Sequence, residues 1–188
     1  MVESKFHKGD IVTVTDKNGE FKCTGIVKGW DCNLCTFDVE YEIDYYNNEH
    51  DRSFTLLGVP EDRIQIKLPT ERQTKLINEL ISGSKRYGKL AIENCEKWVS
   101  AGYAGGKPDK LYCYCGEGNG YQGADVTIAS RIAVIYDTQE AAMATKGHTT
   151  WNGHGEKIVL EPMEAYKFFN ILQADAYKAA LSAIYLIK

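Results

Sequence analysis

Hydrophobic and polar residues alternate through the first third of the chain, and this pattern predicts short β-strands. Residues 11–15 and 21–27 carry β-branched or aromatic side chains at alternating positions, and the Lys-Asn-Gly sequence at 17–19 suits a tight hairpin turn. Residues 36–45 alternate apolar side chains with carboxylates, which predicts a strand with one buried and one acidic face. Shorter strands are predicted at 54–57 and 63–67. A set of about five short antiparallel strands usually closes into a small barrel.

The pattern changes from strand to helix at residue 69. Thr70 and Gln73 fit a capping box that starts a helix, which we expect to break at Ser82-Gly83-Ser84 before a second helix over about 85–100. Beyond these helices the chain predicts strands at 111–115, 124–129 and 131–136, a short helix at 139–146, a hairpin around Asn152-Gly153, and a long helix from Pro162 to Lys188. The predicted fold class is α+β. A β-barrel at 1–68 would precede an α+β domain at 69–188, with helices at both ends and a central antiparallel or mixed sheet.

Three short motifs in the first segment resemble strands of SH3-like barrels of the Tudor and KOW type. The motifs at 8–12 (Lys-Gly-Asp-Ile-Val), 25–27 (Gly-Ile-Val) and 60–64 (Pro-Glu-Asp-Arg-Ile) resemble the first, second and last strands of such a barrel. The likeness covers about a third of the chain. It implies a binding module, because members of these families typically bind nucleic acid, basic peptides or other proteins.

Some Tudor domains hold methylated lysine in an aromatic cage, and this segment contains aromatic residues that could form one. They are Trp30, Phe37, Tyr41, Tyr45 and Tyr46. Aromatic residues at alternate strand positions are more often core residues, so we predict a core role for this set.

Composition and charge narrow the class of protein. The 188 residues are 44% hydrophobic and 26% charged, as in ordinary globular proteins. The chain has no apolar run long enough to span a bilayer and no signal peptide at its start, so we expect a cytoplasmic protein with reduced cysteines and no membrane partner. Residues 1–68 hold eight Lys/Arg against thirteen Asp/Glu, whereas residues 69–110 hold eight against five. A phosphate backbone would be attracted first to the second segment.

Two segments carry candidate ligand-binding residues. A glycine-rich stretch supplies Gly116, Gly118, Asn119, Gly120 and Gly123, and the hairpin region supplies His148, Trp151 and His154. The glycine spacing matches neither a P-loop nor a dinucleotide fingerprint, and a strand is expected to follow it, so a structural loop is the main alternative. For the histidines, the alternative is a hairpin tip that simply collects polar residues.

The cysteines offer a weak metal hypothesis. Cys32 with Cys35 and Cys113 with Cys115 could supply four thiolates, but C-x-C spacing fits a tetrahedral zinc site poorly. We therefore predict no metal site and no cofactor. We also identify no catalytic residues, because no nucleophile, base and acid stand at a recognisable spacing.

These observations favour a non-enzymatic, nucleic-acid-associated binding or regulatory protein, of the kind found among phage or bacterial modulators of transcription. DNA or RNA would bind through residues 70–100, chiefly through basic side chains at Arg72, Lys75, Lys85, Arg86 and Lys89. One alternative is an acidic adaptor or DNA mimic whose barrel docks on a host protein. Another is a nucleotide-binding protein or enzyme that uses the glycine-rich loop.

Overall fold

The computed structural model describes residues 4–32, 38–103, 111–115, 121–123, 133–144, 149–151 and 155–187. Contacts along the chain define two compact units. The first unit consists of Met1–Leu80 with Tyr177–Lys188, and the second of Ile81–Ala176. Both α-helices and β-sheets are present, so the α+β class is confirmed. The domain boundary after residue 68 stays a prediction.

The first unit is built on an antiparallel sheet. Its strands are β1 (Ile11–Thr15), β2 (Phe21–Cys32), β3 (Val39–Asn47), β4 (Arg52–Pro60) and β5 (Ile64–Ile66), in the order β4-β3-β2-β1-β5. A 3-10 helix at Glu61–Arg63 connects β4 to β5. The described residues contain no ladder between the edge strands β4 and β5, so the predicted closed barrel is not present. Strand β5 has only three residues, and its described ladder is with β1.

The alternating pattern of the sequence places the core of this unit on one face of the sheet. Val12, Val14, Val27, Tyr41 and Ile43 are almost completely buried there. The hydroxyl of Tyr41 accepts hydrogen bonds from the backbone N–H groups of residues 5 and 6. Burial of a tyrosine is favourable when its polar end is satisfied in this way.

Helix α1 (Glu71–Glu93) is continuous through Ser82-Gly83-Ser84, so the predicted break is wrong. The capping box is confirmed, because Gln73 accepts a hydrogen bond from the backbone of Thr70 at 2.8 Å and donates its own N–H to the Thr70 hydroxyl at 3.4 Å. Ser84 fits in the continuous helix because it is buried and its hydroxyl donates a hydrogen bond to the carbonyl of Gln173 at 3.0 Å. A polar residue is therefore satisfied within the buried row of the helix.

The second unit contains two antiparallel sheets. Strands β6 (Trp98–Tyr103), β7 (Leu111–Tyr114), β8 (Tyr121–Gly123) and β11 (Glu161–Glu164) form one sheet in the order β11-β6-β7-β8. Strands β9 (Thr149–Trp151) and β10 (Lys157–Val159) form the other, which confirms the pairing predicted for the hairpin region. The second helix predicted over about 85–100 is wrong at its end. Helix α1 ends at Glu93, and residues 98–100 belong to β6.

The described residues contain two further helices. Helix α2 (Gln139–Met143) is capped by the hydroxyl of Thr138, and α3 spans Ala165–Tyr185, within the predicted range of 162–188. Pro162 lies in β11 and not in a helix, because it pairs with Ser100. The predicted strand at 131–136 is also wrong where it is described, since only Tyr136 forms a bridge, to Trp98. Within the described residues, no helix combines the length and apolar character needed to cross a membrane.

Candidate nucleic-acid interface

The buried and exposed positions of α1 follow its helical period. Its buried residues are Ile77, Leu80, Ser84, Tyr87 and Ala91, which are spaced three or four apart. This spacing places them on one face of a helix with 3.6 residues per turn. The other face is therefore left to solvent along the whole length of α1.

All five predicted nucleic-acid-binding residues are exposed on α1. Arg72 and Lys75 belong to the first unit, and Lys85, Arg86 and Lys89 belong to the second. The structure therefore divides the predicted set into two groups, one in each unit.

The group in the second unit is compact. Lys89 lies four residues after Lys85 and three after Arg86, and residues at these separations are neighbours on a helix surface, with Cβ atoms about 5–6 Å apart. Residues 81–92 contain these three cations and no carboxylate. Lys89 contacts Glu93, with Nζ 3.5 Å from Oε1, and this exposed pair is a weak, salt-screened contact. All three side chains are exposed, so a ligand can reach them from solvent.

Arg72 and Lys75 stand in a more balanced environment at the start of the helix. Glu71 and Glu79 lie on the same exposed part of α1. The attraction for phosphate is accordingly weaker than at the cluster of the second unit.

The candidate ligand-binding residues are only partly described. Gly116, Gly118, Asn119, Gly120, His148 and His154 lie outside the described residues. Gly123 is the last residue of β8, where it pairs with Tyr112, and Trp151 is the last residue of β9, where it pairs with Lys157. Both positions belong to ladders of sheets, and the glycine-loop and histidine hypotheses stay predictions.

The aromatic residues of the candidate cage differ in burial. Tyr41 is fully buried, and Tyr46 is 8% exposed with its hydroxyl 2.6 Å from Oδ1 of Asp51, which confirms the core interpretation for these two. Tyr45 packs against the core and stacks on Phe54 with ring centroids 5.9 Å apart. The core prediction is wrong for Trp30, which is 45% exposed. Phe37 lies outside the described residues.

A cationic and aromatic group on the hairpin between β3 and β4 was missed by sequence reasoning. The guanidinium of Arg52 lies 4.5 Å from the ring centroid of Phe54, and the ring of His50 lies 6.0 Å from the same ring. Such a cation–π contact is worth about 0.5–1 kcal/mol at an exposed site. The strand predicted at 54–57 begins after Arg52, whereas β4 begins at Arg52, so the two side chains share a face of the strand, as residues two apart do.

The sheet of the first unit also carries an acidic face. Asp31 on β2 lies directly opposite Glu40 on β3, and like charges in this position repel. Glu42 is contacted by Lys28, whose Nζ lies 3.9 Å from the carboxylate. Part of the acidic character predicted for residues 1–68 therefore lies where β2 and β3 pair, at Asp31, Glu40 and Glu42.

The second unit has a cleft of about 480 Å³ beside the β6–β11 ladder. Trp98, Tyr103 and Met163 supply apolar walls, and Glu164 lies in the wall with its carboxylate 2.6 Å from Lys167. This lining comes from strands distant in sequence, so no local pattern predicts it. Among the described residues no group of three or more His, Cys, Asp and Glu side chains is arranged to hold a metal ion.

Comparisons with known proteins leave the chain without a family assignment. No family model matches it, and neither a curated protein nor a solved structure gives a significant match.

Proposed function

We propose that the protein is a non-enzymatic nucleic-acid-associated binding or regulatory protein that contacts DNA or RNA through helix α1. Lys85, Arg86 and Lys89 form the principal contact, and binding is directed to the phosphate backbone. The observation that carries this proposal is the exposed cluster of three cations within residues 81–92, a stretch that has no carboxylate. Clustered cations release condensed counterions from a phosphate backbone, which drives binding with little dependence on sequence.

The proposal includes an SH3-like fold of the Tudor or KOW type for the first unit, with the sheet open between β4 and β5. Its support is the position of β1, which pairs with β2 on one side and with β5 on the other. The first motif runs into β1, the second lies within β2, and the third ends at Ile64, the first residue of β5. Binding modules of this type act in regulation without catalysis, which agrees with a role in modulating transcription.

The experiment that tests the proposal measures fluorescence anisotropy of labelled random duplex and single-stranded DNA over a salt series. We expect binding at low salt that weakens steeply as salt rises. Lys85→Glu combined with Arg86→Glu removes two phosphate contacts, so the slope of log K against log salt should fall in magnitude by about 1.8 on duplex DNA. Circular dichroism should show an unchanged fold, because both side chains are exposed.

A matched control separates the local cluster from net charge. Lys17→Glu combined with Lys157→Glu makes the same change of net charge at two exposed positions outside α1. We expect this control to retain most of the affinity and nearly all of the salt slope. Equal loss in both double variants, or no binding of the wild-type protein at low salt, would show that the cluster is not an interface.

The second candidate function is an acidic adaptor or DNA mimic that binds a basic host protein through the first unit. The observation in its favour is the direct opposition of Asp31 and Glu40 across the β2–β3 ladder, because a basic partner would relieve their repulsion. Asp31→Asn combined with Glu40→Gln should abolish capture of a basic protein in this case. The same double variant should leave nucleic-acid binding unchanged or slightly tighter if the first candidate is correct.

A further inference from the structure

Two thiols lie side by side in the second unit, one from Cys113 on β7 and one from Cys115, which directly follows that strand. The sulfur atoms of Cys113 and Cys115 are 3.7 Å apart, and both cysteines are reduced. Residues two apart on a strand point to the same face, which explains why these side chains meet. The C-x-C spacing that argues against a tetrahedral zinc site thus brings two thiols into contact.

The two thiols differ in their access to solvent. Cys113 is 2% exposed and belongs to the apolar core of the second unit, whereas Cys115 is only partly buried. Cys115 is therefore the thiol that a small reagent reaches first. The hydrogen bond between the two thiols, and then burial, raise the pKa of Cys113, so Cys113 keeps its proton at neutral pH.

We propose that Cys113 and Cys115 form a dithiol site that hydroperoxides oxidise reversibly to an intrastrand disulfide. In the first step, the sulfur of Cys115 attacks the hydroperoxide, the O–O bond breaks, and Cys115 becomes a sulfenic acid as water (or the alcohol) leaves. In the second step, the sulfur of Cys113 displaces the hydroxyl group of the sulfenic acid. The proton of Cys113 leaves with that hydroxyl as water, so two electrons pass from the dithiol to the peroxide.

The strand geometry allows this bond and makes it reversible. At about 3.3 Å of rise per residue, Cα atoms two residues apart on a strand are about 6.6 Å apart, near the upper end of the range that disulfides span. The strand must shorten slightly to close the bond. A disulfide held in this way is reduced readily by thiols, which distinguishes a reversible modification from a permanent structural bridge.

The test uses the full-length protein, reduced and then treated with hydrogen peroxide. After treatment the protein is denatured, alkylated, digested with trypsin and analysed by mass spectrometry. Trypsin releases residues 111–131 with Cys113 and Cys115 as their only cysteines, and residues 90–97 with Cys95 alone. We expect the 111–131 peptide to escape alkylation, to lose two hydrogen atoms, and to regain both alkylation sites after treatment with dithiothreitol.

Cys95 provides an internal control, because it is an exposed cysteine on a separate peptide. It should yield alkylated peptide or sulfur oxides, and no internal disulfide. If the 111–131 peptide stays fully alkylated at peroxide doses that oxidise Cys95, the proposal is wrong. Stable sulfinic acid at Cys115 in the wild-type protein would also overturn it, because the second thiol would then have failed to react.

Two variants test the order of the steps. In Cys113→Ala, the sulfenic acid of Cys115 has no partner, so labelling of Cys115 by dimedone should rise several-fold above the wild type. In Cys115→Ala, Cys113 should stay reduced, since the core shields it. Rapid peroxide oxidation of Cys113 in the latter variant, or equal dimedone labelling in the former and the wild type, would contradict the assigned roles. The wild-type peptide measurement decides the proposal even if a variant fails to fold.

Discussion

The carboxylate of Asp44 has a hydrogen-bond donor on each oxygen, and removal of one of these donors should destabilise the first unit. The hydroxyl of Tyr177 on α3 lies 2.7 Å from Oδ2, and the hydroxyl of Thr55 on β4 lies 2.5 Å from Oδ1. Asp44 is only 7% exposed, so water has little access to replace a lost donor. The variant Tyr177→Phe keeps the ring and removes only the hydroxyl.

The expected loss follows from the charge of the acceptor. A hydrogen bond to a charged group contributes about 1.5–3 kcal/mol to the free energy of unfolding. For a chain of this length, 1 kcal/mol corresponds to about 2–4 °C in melting temperature, so the variant should melt roughly 3–12 °C lower. Tyr185→Phe is the matched control on the same helix. It preserves the contact with the Tyr46 ring, whose centroid lies 6.0 Å away, and should change stability by less than about 0.5 kcal/mol.

The assay is urea denaturation of the wild type and both variants, repeated at rising pH. Burial raises the pKa of Tyr177, and the adjacent Asp44 raises it further. The stability that this tyrosine contributes is therefore fully present below its unfolded pKa of about 10 and is lost as pH rises above that value. The gap between wild type and Tyr177→Phe should narrow in that range. Equal stability of the two tyrosine variants at neutral pH would refute the reasoning.

Two further predictions concern a close backbone contact and an acid-sensitive contact. A Cβ atom at Gly102 would lie 2.0 Å from the carbonyl oxygen of Val159, so Gly102→Ala should lower the free energy of unfolding in urea by about 2 kcal/mol or more. A Cβ atom at Gly29 would meet nothing within 4 Å, so the control Gly29→Ala should lower it by less than about 0.5 kcal/mol. Comparable losses in both alanine variants would contradict this. The pKa of Asp51 is lowered by the hydrogen bond from Tyr46 and, next, by Lys178. The contribution of Asp51 to the free energy of unfolding is therefore present above the unfolded pKa of about 3.9 and is lost as pH falls through the lower folded pKa. The urea midpoint of Asp51→Asn should lie below that of the wild type at pH 7 and converge with it in acid, and a constant gap would argue against the contact.

Several parts of the fold follow from local sequence alone. The alternation in residues 11–15 and 21–27, and the capping box at Thr70 and Gln73, act over a few neighbouring residues, so the elements they predict are present in the structure. The exposure of Lys85, Arg86 and Lys89 also follows from the helical period once the buried row is identified. These features depend on backbone preference and on burial of one face of an element, and both can be predicted from a short window of sequence.

Other features required contacts between distant residues. Local propensity predicts a break at Ser82-Gly83-Ser84, but the bond of Ser84 to Gln173 joins residues 89 positions apart and keeps the helix intact. The bond of Tyr177 to Asp44 spans 133 positions and helps to hold the end of α3 in the first unit. The period, the caps and the charge of each segment follow from the sequence, because these depend on neighbours along the chain. Which buried polar groups are satisfied depends on the folded chain, since their partners come from elements that no local pattern connects.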